Sequence, residues 1–96
     1  MTAAIADKPP LFPLGKLYST PGVLAELTEQ DIARSIARHW TGDWGDVCAE
    51  DKQLNDEAVT SRLRMLSAYT GQNGTKFWII TEGDRSATTL LLPDEY

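Results

Sequence analysis

The stretch QNGTKFWIITEGDRSATTLLLP, residues 72–93, decides the fold. Its Asn73-Gly74 pair predicts a hairpin with a type I′ turn, in which both central residues take positive φ. Residues 77–81 are aromatic and β-branched, which favours a strand. EGDRS indicates a second turn, and SATTLLLP indicates a further strand closed by Pro93. The stretch therefore predicts two antiparallel strands joined by a short turn.

Two neighbouring segments extend this hairpin into a larger sheet. RLRMLSAYTG, residues 62–71, alternates between two faces and predicts the first strand of a meander, although its first half is also compatible with a helix. Residues 14–19, which lie between prolines and carry a glycine, predict a short edge strand. The expected sheet therefore has three or four strands.

The clearest helix is TEQDIARSIARHW, residues 28–40. Thr28 is a suitable N-cap, and the acidic residues that follow suit the positive end of the helix dipole. Ile32, Ile36 and Trp40 are four residues apart and form one apolar stripe, which we expect to pack on the sheet.

A second helix is predicted for AEDKQLNDEAVTS, residues 49–61, with Leu54 and Ala58 on its thin inward side. The predicted fold class is α+β, with two main N-terminal helices packed on a three- to four-stranded antiparallel sheet that ends in a C-terminal β-meander. Residues 1–10 are expected to be a flexible tail, and residues 11–96 a single domain.

Composition narrows the classes of function. The 96 residues carry a net charge of −5, so we do not expect general binding of nucleic acid, which requires a basic surface. The single cysteine, Cys48, cannot form an intramolecular disulfide, which suits a reducing compartment. We find no signal-peptide pattern and no run of apolar residues long enough to span a membrane, so we expect a cytoplasmic protein that does not enter membranes.

The segment RHWTGDWGDV, residues 38–47, has two interpretations. His39 is either a general base oriented by Asp43 or Asp46, or a residue that caps the end of the helix. The two indole rings of this segment are most simply core anchors. We favour a structural corner, with an aspartate capping the next helix.

Other candidate chemistry is sparse. No spacing typical of a metal site appears, and Cys48 is expected to be buried as a small hydrophobe, so we expect neither a metal nor a cofactor. The alternative catalytic set combines His39 as acid or base with Arg85 and Thr88, which would hold a phosphate or a scissile RNA linkage at the end of the sheet.

Four segments carry a family resemblance: FPLGKLYSTPG, GDWGD, RMLSAY and FWIITEGDRSATTLLLPDEY. Together they resemble a family of small uncharacterised bacterial proteins of plasmids, prophages and other mobile elements, over residues 12–96. Its members are sometimes labelled type I restriction endonuclease subunit M, although this chain has neither the length nor the glycine loop of a methyltransferase. The family has no established activity to carry over.

The predicted layout also resembles, more weakly, the small ribonuclease toxins of the barnase and RelE type. That resemblance implies RNA cleavage centred on His39 and Arg85, whereas the acidic charge departs from the usual basic toxin.

The leading prediction is a non-enzymatic interaction protein of a plasmid or prophage that binds a protein partner, with an anti-restriction or anti-defence role as one form of it. An acidic face that imitates DNA is one way to achieve this. A homodimer through an open sheet edge is also expected. The residues predicted to contact the partner are Asp43, Trp44, Asp46, Arg85 and Tyr96.

Overall fold

The computed structural model describes residues 8–96, so most of the tail predicted for residues 1–10 lies outside the described residues. Residues 8–96 have the predicted α+β class, with three helices and a four-stranded sheet. No helix in the described range is long and apolar enough to cross a membrane. The elements in chain order are β1 (Lys16–Ser19), α1 (Pro21–Glu26), α2 (Glu29–Trp40), α3 (Ala49–Ser61), β2 (Met65–Thr70), β3 (Lys76–Thr81), β4 (Ala87–Leu91) and a final 3-10 turn (Pro93–Glu95).

The sheet has the strand order β1-β4-β3-β2. β2, β3 and β4 form the predicted antiparallel meander. β1 is the predicted edge strand, but it runs parallel to β4, with Lys16 opposite Ala87 and Ser19 opposite Leu90. The expectation of an antiparallel sheet is therefore confirmed for β2, β3 and β4, but it was wrong for β1. Parallel neighbours require a long connection, and here all three helices and two strands lie between the two partners.

The hairpin between β2 and β3 forms as predicted, but with a different turn. Gly74 donates its N–H to the carbonyl of Gly71 at 3.0 Å, and Gly71 donates to Thr75 at 2.8 Å. Of the two residues predicted to have positive φ, only Gly74 does, at 87°. The turn is therefore centred on Gln72 and Asn73 and followed by one left-handed glycine, rather than being type I′.

The most buried residues of α2 each precede the predicted ones by one position. Ile32 and Ile36 pack against the core and are only partly buried. The buried residues of α2 are instead Asp31, Ser35 and His39, again four residues apart. The deepest line of this helix is therefore polar, and each of its members requires a hydrogen-bond partner in the interior.

The start and the inward side of α3 also differ from the prediction. Cys48, rather than an aspartate, is the N-cap, and it is exposed rather than buried. Leu54 faces solvent, whereas Asn55 and Ala58 are buried. A buried asparagine takes the place expected for leucine because its amide has partners in the adjacent strand, described below.

Two apolar clusters hold the helices on the sheet. The first joins α1 to the strands, and the second joins the N-terminal segment to α3. The buried members of the first are Val23, Leu27, Tyr69, Phe77, Ile79 and Leu90. The buried members of the second are Phe12, Trp44, Ala58 and Met65, with Trp40 packed against them.

Candidate functional site

We expected His39 to cap the end of α2, but its side chain is completely buried instead. Its ring lies edge-on to Phe12 and Trp44, with ring centroids 5.4 and 5.6 Å away. Nδ1 is hydrogen-bonded to the hydroxyl of Ser67, and Nε2 lies 2.8 Å from the hydroxyl of Thr81. The only histidine of the chain is therefore enclosed between the helix and the sheet.

The hydrogen bonds around His39 determine which ring nitrogen carries the proton. Thr88 must donate to the carbonyl of Leu14, at 2.7 Å, because a carbonyl only accepts. Thr81 then donates to the hydroxyl oxygen of Thr88, at 2.8 Å, so its own oxygen accepts from Nε2–H. Nδ1 is left as an acceptor for Ser67. One neutral tautomer satisfies every member of this polar chain.

The electrostatics agree with a neutral ring. Burial, assisted by the positive charge of Arg85, lowers the pKa of His39 from 6.5 to about 3. The structure does bring the alternative catalytic residues near one another, since His39 reaches Thr88 through Thr81. Because His39 has no exposed surface, this geometry does not favour a ribonuclease.

Arg85 closes the C-terminal end of α3. Its backbone is left-handed, with φ of 61°, and its side chain is buried. The guanidinium donates to the carbonyls of Ala58 at 2.6 Å, Leu63 at 2.8 Å and Glu82 at 3.2 Å. It also lies 5.6 Å from the ring centre of Phe12. All this hydrogen bonding is internal, so Arg85 has a structural role here rather than an open anion site.

Trp44 is likewise a core residue, with 3% of its surface exposed. The ring stacks on Phe12, 6.3 Å between centroids, and the indole N–H donates to the Asp56 carboxylate at 2.8 Å. Trp44 and Arg85, both predicted to contact a partner, therefore present no free surface in the described chain.

The other three predicted contact residues are exposed. Asp43 forms a two-bond ion pair with Arg38 at 2.7 and 3.2 Å, and this hydrogen bonding lowers the pKa of Asp43. Asp46 accepts from the hydroxyl of Thr70 in β2 at 3.1 Å. The Asp43 carbonyl accepts from the hydroxyl of Tyr69 in β2 at 2.6 Å, so both acids lie beside β2.

Tyr96, the third of these exposed residues, packs against β3. Its ring is 5.7 Å from that of Trp78, and its hydroxyl accepts from Arg64 at 2.8 Å. Arg64 also lies over the Tyr96 ring, 5.4 Å from its centre.

The β2 edge of the sheet is covered. Ala68 donates to the carbonyl of Trp44 at 3.1 Å and accepts from the N–H of Asp46 at 2.7 Å. Between them Gly45 has a positive φ, and a Cβ there would collide with the Ala68 carbonyl. The side-chain amide of Asn55 makes a second pair of bonds, to the Leu66 carbonyl at 2.9 Å and to its N–H at 3.2 Å. The backbone groups that Leu66 and Ala68 turn outward from β2 are thus paired within the chain.

The β1 edge of the sheet is open. Lys16 donates its N–H to the carbonyl of Ser86, just before β4, and Thr20 donates its N–H to the carbonyl of Leu90 in β4. Because consecutive residues of a strand point their backbone groups to opposite sides, Leu17 and Ser19 direct theirs away from the sheet. Within residues 8–96 no further strand lies on that side of β1.

The side chains of this open edge are also exposed. Leu17 and Tyr18 each have 51% of their surface exposed, on opposite faces of the strand. The sequence predicted the strand, but it did not identify Leu17 and Tyr18 as contact residues. The available signal was that KLYS has no neighbouring strand along the chain to cover it.

Similarity to known proteins adds no further assignment. Among the described residues, no group of three or more potential metal-ligating side chains comes together. No protein-family model matches the chain, and no curated protein or solved structure is significantly similar to it.

Proposed function

We propose that this chain is a non-enzymatic, cytoplasmic interaction protein that binds an extended segment of a protein partner along β1. The observation that carries the proposal is the open edge, where the backbone groups of Leu17 and Ser19 point away from the sheet. A partner segment that adds a strand there gains main-chain hydrogen bonds, while its alternate side chains determine specificity.

The exposed side chains of β1 indicate the chemistry of that segment. Leu17 and Tyr18 lie on opposite faces, so successive residues of the partner would meet an apolar neighbour on each face. Lys16 is exposed at the start of the strand and favours an acidic residue opposite it. Leu24, in the helix that directly follows β1, is a further exposed apolar side chain, with 65% of its surface exposed.

The strand is held in place before a partner arrives. The hydroxyl of Thr20 donates to the carboxylate of Glu95, and Gly22 donates its N–H to the same carboxylate at 3.0 Å. Glu95 in turn accepts from the N–H of Leu92 at 2.8 Å. Because β1 is already ordered, binding need not supply the free energy to order it.

Pairing along a four-residue strand buries little compared with the roughly 1,200 Å² of a stable interface, so association through β1 alone, with another protein or with a second copy, should be weak and transient. The exposed thiol of Cys48 suits a reducing compartment. A host defence protein as that partner, and the mobile-element family, stay predictions from the sequence.

The test compares the parent chain with Leu17→Pro and with Leu63→Thr. Proline at position 17 removes an outward N–H but none of the bonds from Lys16 or Thr20 to β4, and proline is tolerated at sheet edges. Leu63 is similarly exposed, outside β1, and its variant is the control for lost apolar surface. Tagged versions of all three capture proteins from the host.

A protein retained by the parent and the control but lost from Leu17→Pro is then purified and studied by amide hydrogen exchange. We expect it to slow exchange at Leu17 and Ser19, whose amides are unprotected in the free chain. A partner that binds Leu17→Pro as tightly as the parent, or that protects a different surface, contradicts the proposal. Sedimentation of the free chain as a dimer that Leu17→Pro dissociates would instead assign the edge to a second copy.

A further inference from the structure

An open groove of about 720 Å³ runs along one side of α2, and no residue of β1 lines it. Its floor is formed by Ala33, Ala37 and Trp40, and one wall is formed by Pro9 and Pro10. A volume of this order is typical of small-molecule sites, which usually lie between 300 and 1,000 Å³.

The wall of the groove is fixed to the end of α2. Leu11 donates its N–H to the carbonyl of Trp40 at 3.0 Å, and the indole of Trp40 donates to the carbonyl of Phe12 at 2.7 Å. Phe12 is buried in the second cluster. The residues that precede Leu11 are two prolines, whose backbone is stiff. These hydrogen bonds hold the wall of the groove in place. The indole N–H, the only polar group of the Trp40 side chain, already has its partner, so the part of Trp40 that lines the groove is apolar.

The groove concentrates positive charge in an acidic protein. Lys8, Arg34 and Arg38 line it, which is three of the nine basic residues of a chain whose net charge is −5. The one acidic lining residue, Asp43, is engaged by Arg38. Arg34 is exposed, lies one turn before Arg38 on the same helix face, and makes no ion pair with any described residue.

We propose that the groove binds a small amphiphilic anion, with a carboxylate or sulfonate next to Arg34 and Lys8 and an apolar body on Ala33, Ala37 and Trp40. The apolar floor provides the burial, and the two basic side chains provide charge-assisted hydrogen bonds to the anionic group. No residue of β1 takes part, so this site is independent of the proposed partner edge.

The probe is 8-anilinonaphthalene-1-sulfonate, an aromatic body with one anionic group, titrated into the full chain and followed by its fluorescence. We expect saturation at one probe per chain, with displacement by decanoate but not by decanol, which has the same apolar chain without the charge. Arg34→Glu should weaken binding about tenfold or more, because it replaces an attraction by a repulsion. Ala33→Phe should block the floor while the far-ultraviolet circular dichroism stays that of the parent.

The matched control is Lys52→Glu, the same change of charge on an exposed position of α3. It should change the affinity by less than about twofold, since the groove lies elsewhere and salt screens distant charges. Equal weakening by Arg34→Glu and Lys52→Glu would overturn the proposal, because a general charge effect would then explain the binding. Binding without saturation, or displacement by decanol as effective as by decanoate, would also overturn it.

Discussion

The two edges of the sheet differ in whether their outward backbone groups are hydrogen-bonded within the chain. The β2 edge is paired by the backbone of residues 44–46 and by the side-chain amide of Asn55. The β1 edge leaves the backbone groups of Leu17 and Ser19 without a strand beside them in the described chain. Exposed edges promote association with other chains, and proteins usually protect them. This chain covers one edge with two separate contacts and leaves the other open, and the proposed strand addition rests on that difference.

A chain of polar groups connects the two edges. It begins at Ser67 in β2, continues through His39, Thr81 and Thr88, and ends at the carbonyl of Leu14, just before β1. Changes at the covered edge should therefore lower the free energy of unfolding most. Changes in the polar chain should lower it less, and changes at the open edge should lower it least.

Removing the anchor of the covered edge should have the largest effect. Trp44→Ala loses a buried ring and its bond to Asp56, and should lower the free energy of unfolding by about 3–5 kcal/mol. Trp44→Phe, which keeps a ring but not the N–H, should lose much less. Urea denaturation of both variants measures this. Equal losses in the two variants would mean that the hydrogen bond, rather than the buried ring, holds residues 44–46 against β2.

Removing the amide of Asn55 should have the next largest effect. Asn55→Ala leaves the N–H and carbonyl of Leu66 without their partners and should lower the free energy of unfolding by about 2–3 kcal/mol. It should also promote self-association, because part of the β2 edge becomes free. Gln53→Ala, exposed on the same helix, is the control. Urea denaturation and sedimentation check both effects, and an Asn55→Ala variant as stable and as monomeric as the control would contradict this assignment.

The buried, neutral ring of His39 should make the free energy of unfolding depend on pH. As pH falls through 6.5 the unfolded chain takes up a proton, whereas the buried ring, with its pKa lowered to about 3, does not. The free energy of unfolding should therefore decrease as the pH is lowered, by about 2 kcal/mol from pH 7 to pH 5. Urea denaturation at each pH measures the slope. His39→Gln should remove this slope whatever its overall stability, and an unchanged slope in that variant would rule out His39 as its source.

The open edge should contribute least to stability. Tyr18→Thr keeps a residue that favours strands and should change the free energy of unfolding by less than about 0.5 kcal/mol. The same variant should lose the partner that the parent binds through β1. Leu63→Thr should change neither property. Thermal denaturation measures the first effect and the capture assay the second. A large loss of stability in Tyr18→Thr would show that β1 is required for folding rather than for binding.

Local features were predictable from the sequence. Thr28 and Asp31 cap α2 reciprocally, so the start of that helix follows from four consecutive residues. The predicted span of α3, residues 49–61, agrees with the structure, as does the meander. In each case the determining interactions lie within a few residues, where periodicity and capping rules apply.

Long-range features were not predictable. The partners of His39 lie 28 and 42 residues further along the chain, so nothing near His39 indicates that it is buried. Two signals existed: Asp31, Ser35 and His39 are spaced one turn apart, and Ser67 and Thr81 occupy inward positions of their strands. The parallel pairing of β1 is equally remote, because a strand of four residues carries no information about its neighbour.

The pairing of β1 with β4 also has a consequence during protein synthesis. Among the four strands of residues 8–96, β1 is synthesised first, yet its neighbour in the sheet, β4, is synthesised last. Until residues 87–91 have been translated, both sides of β1 are unpaired, and the meander is still incomplete. Contacts so distant along the chain form late and slowly. While residues 20–86 are being translated, the nascent β1 segment therefore has no strand to pair with and is accessible to chaperones.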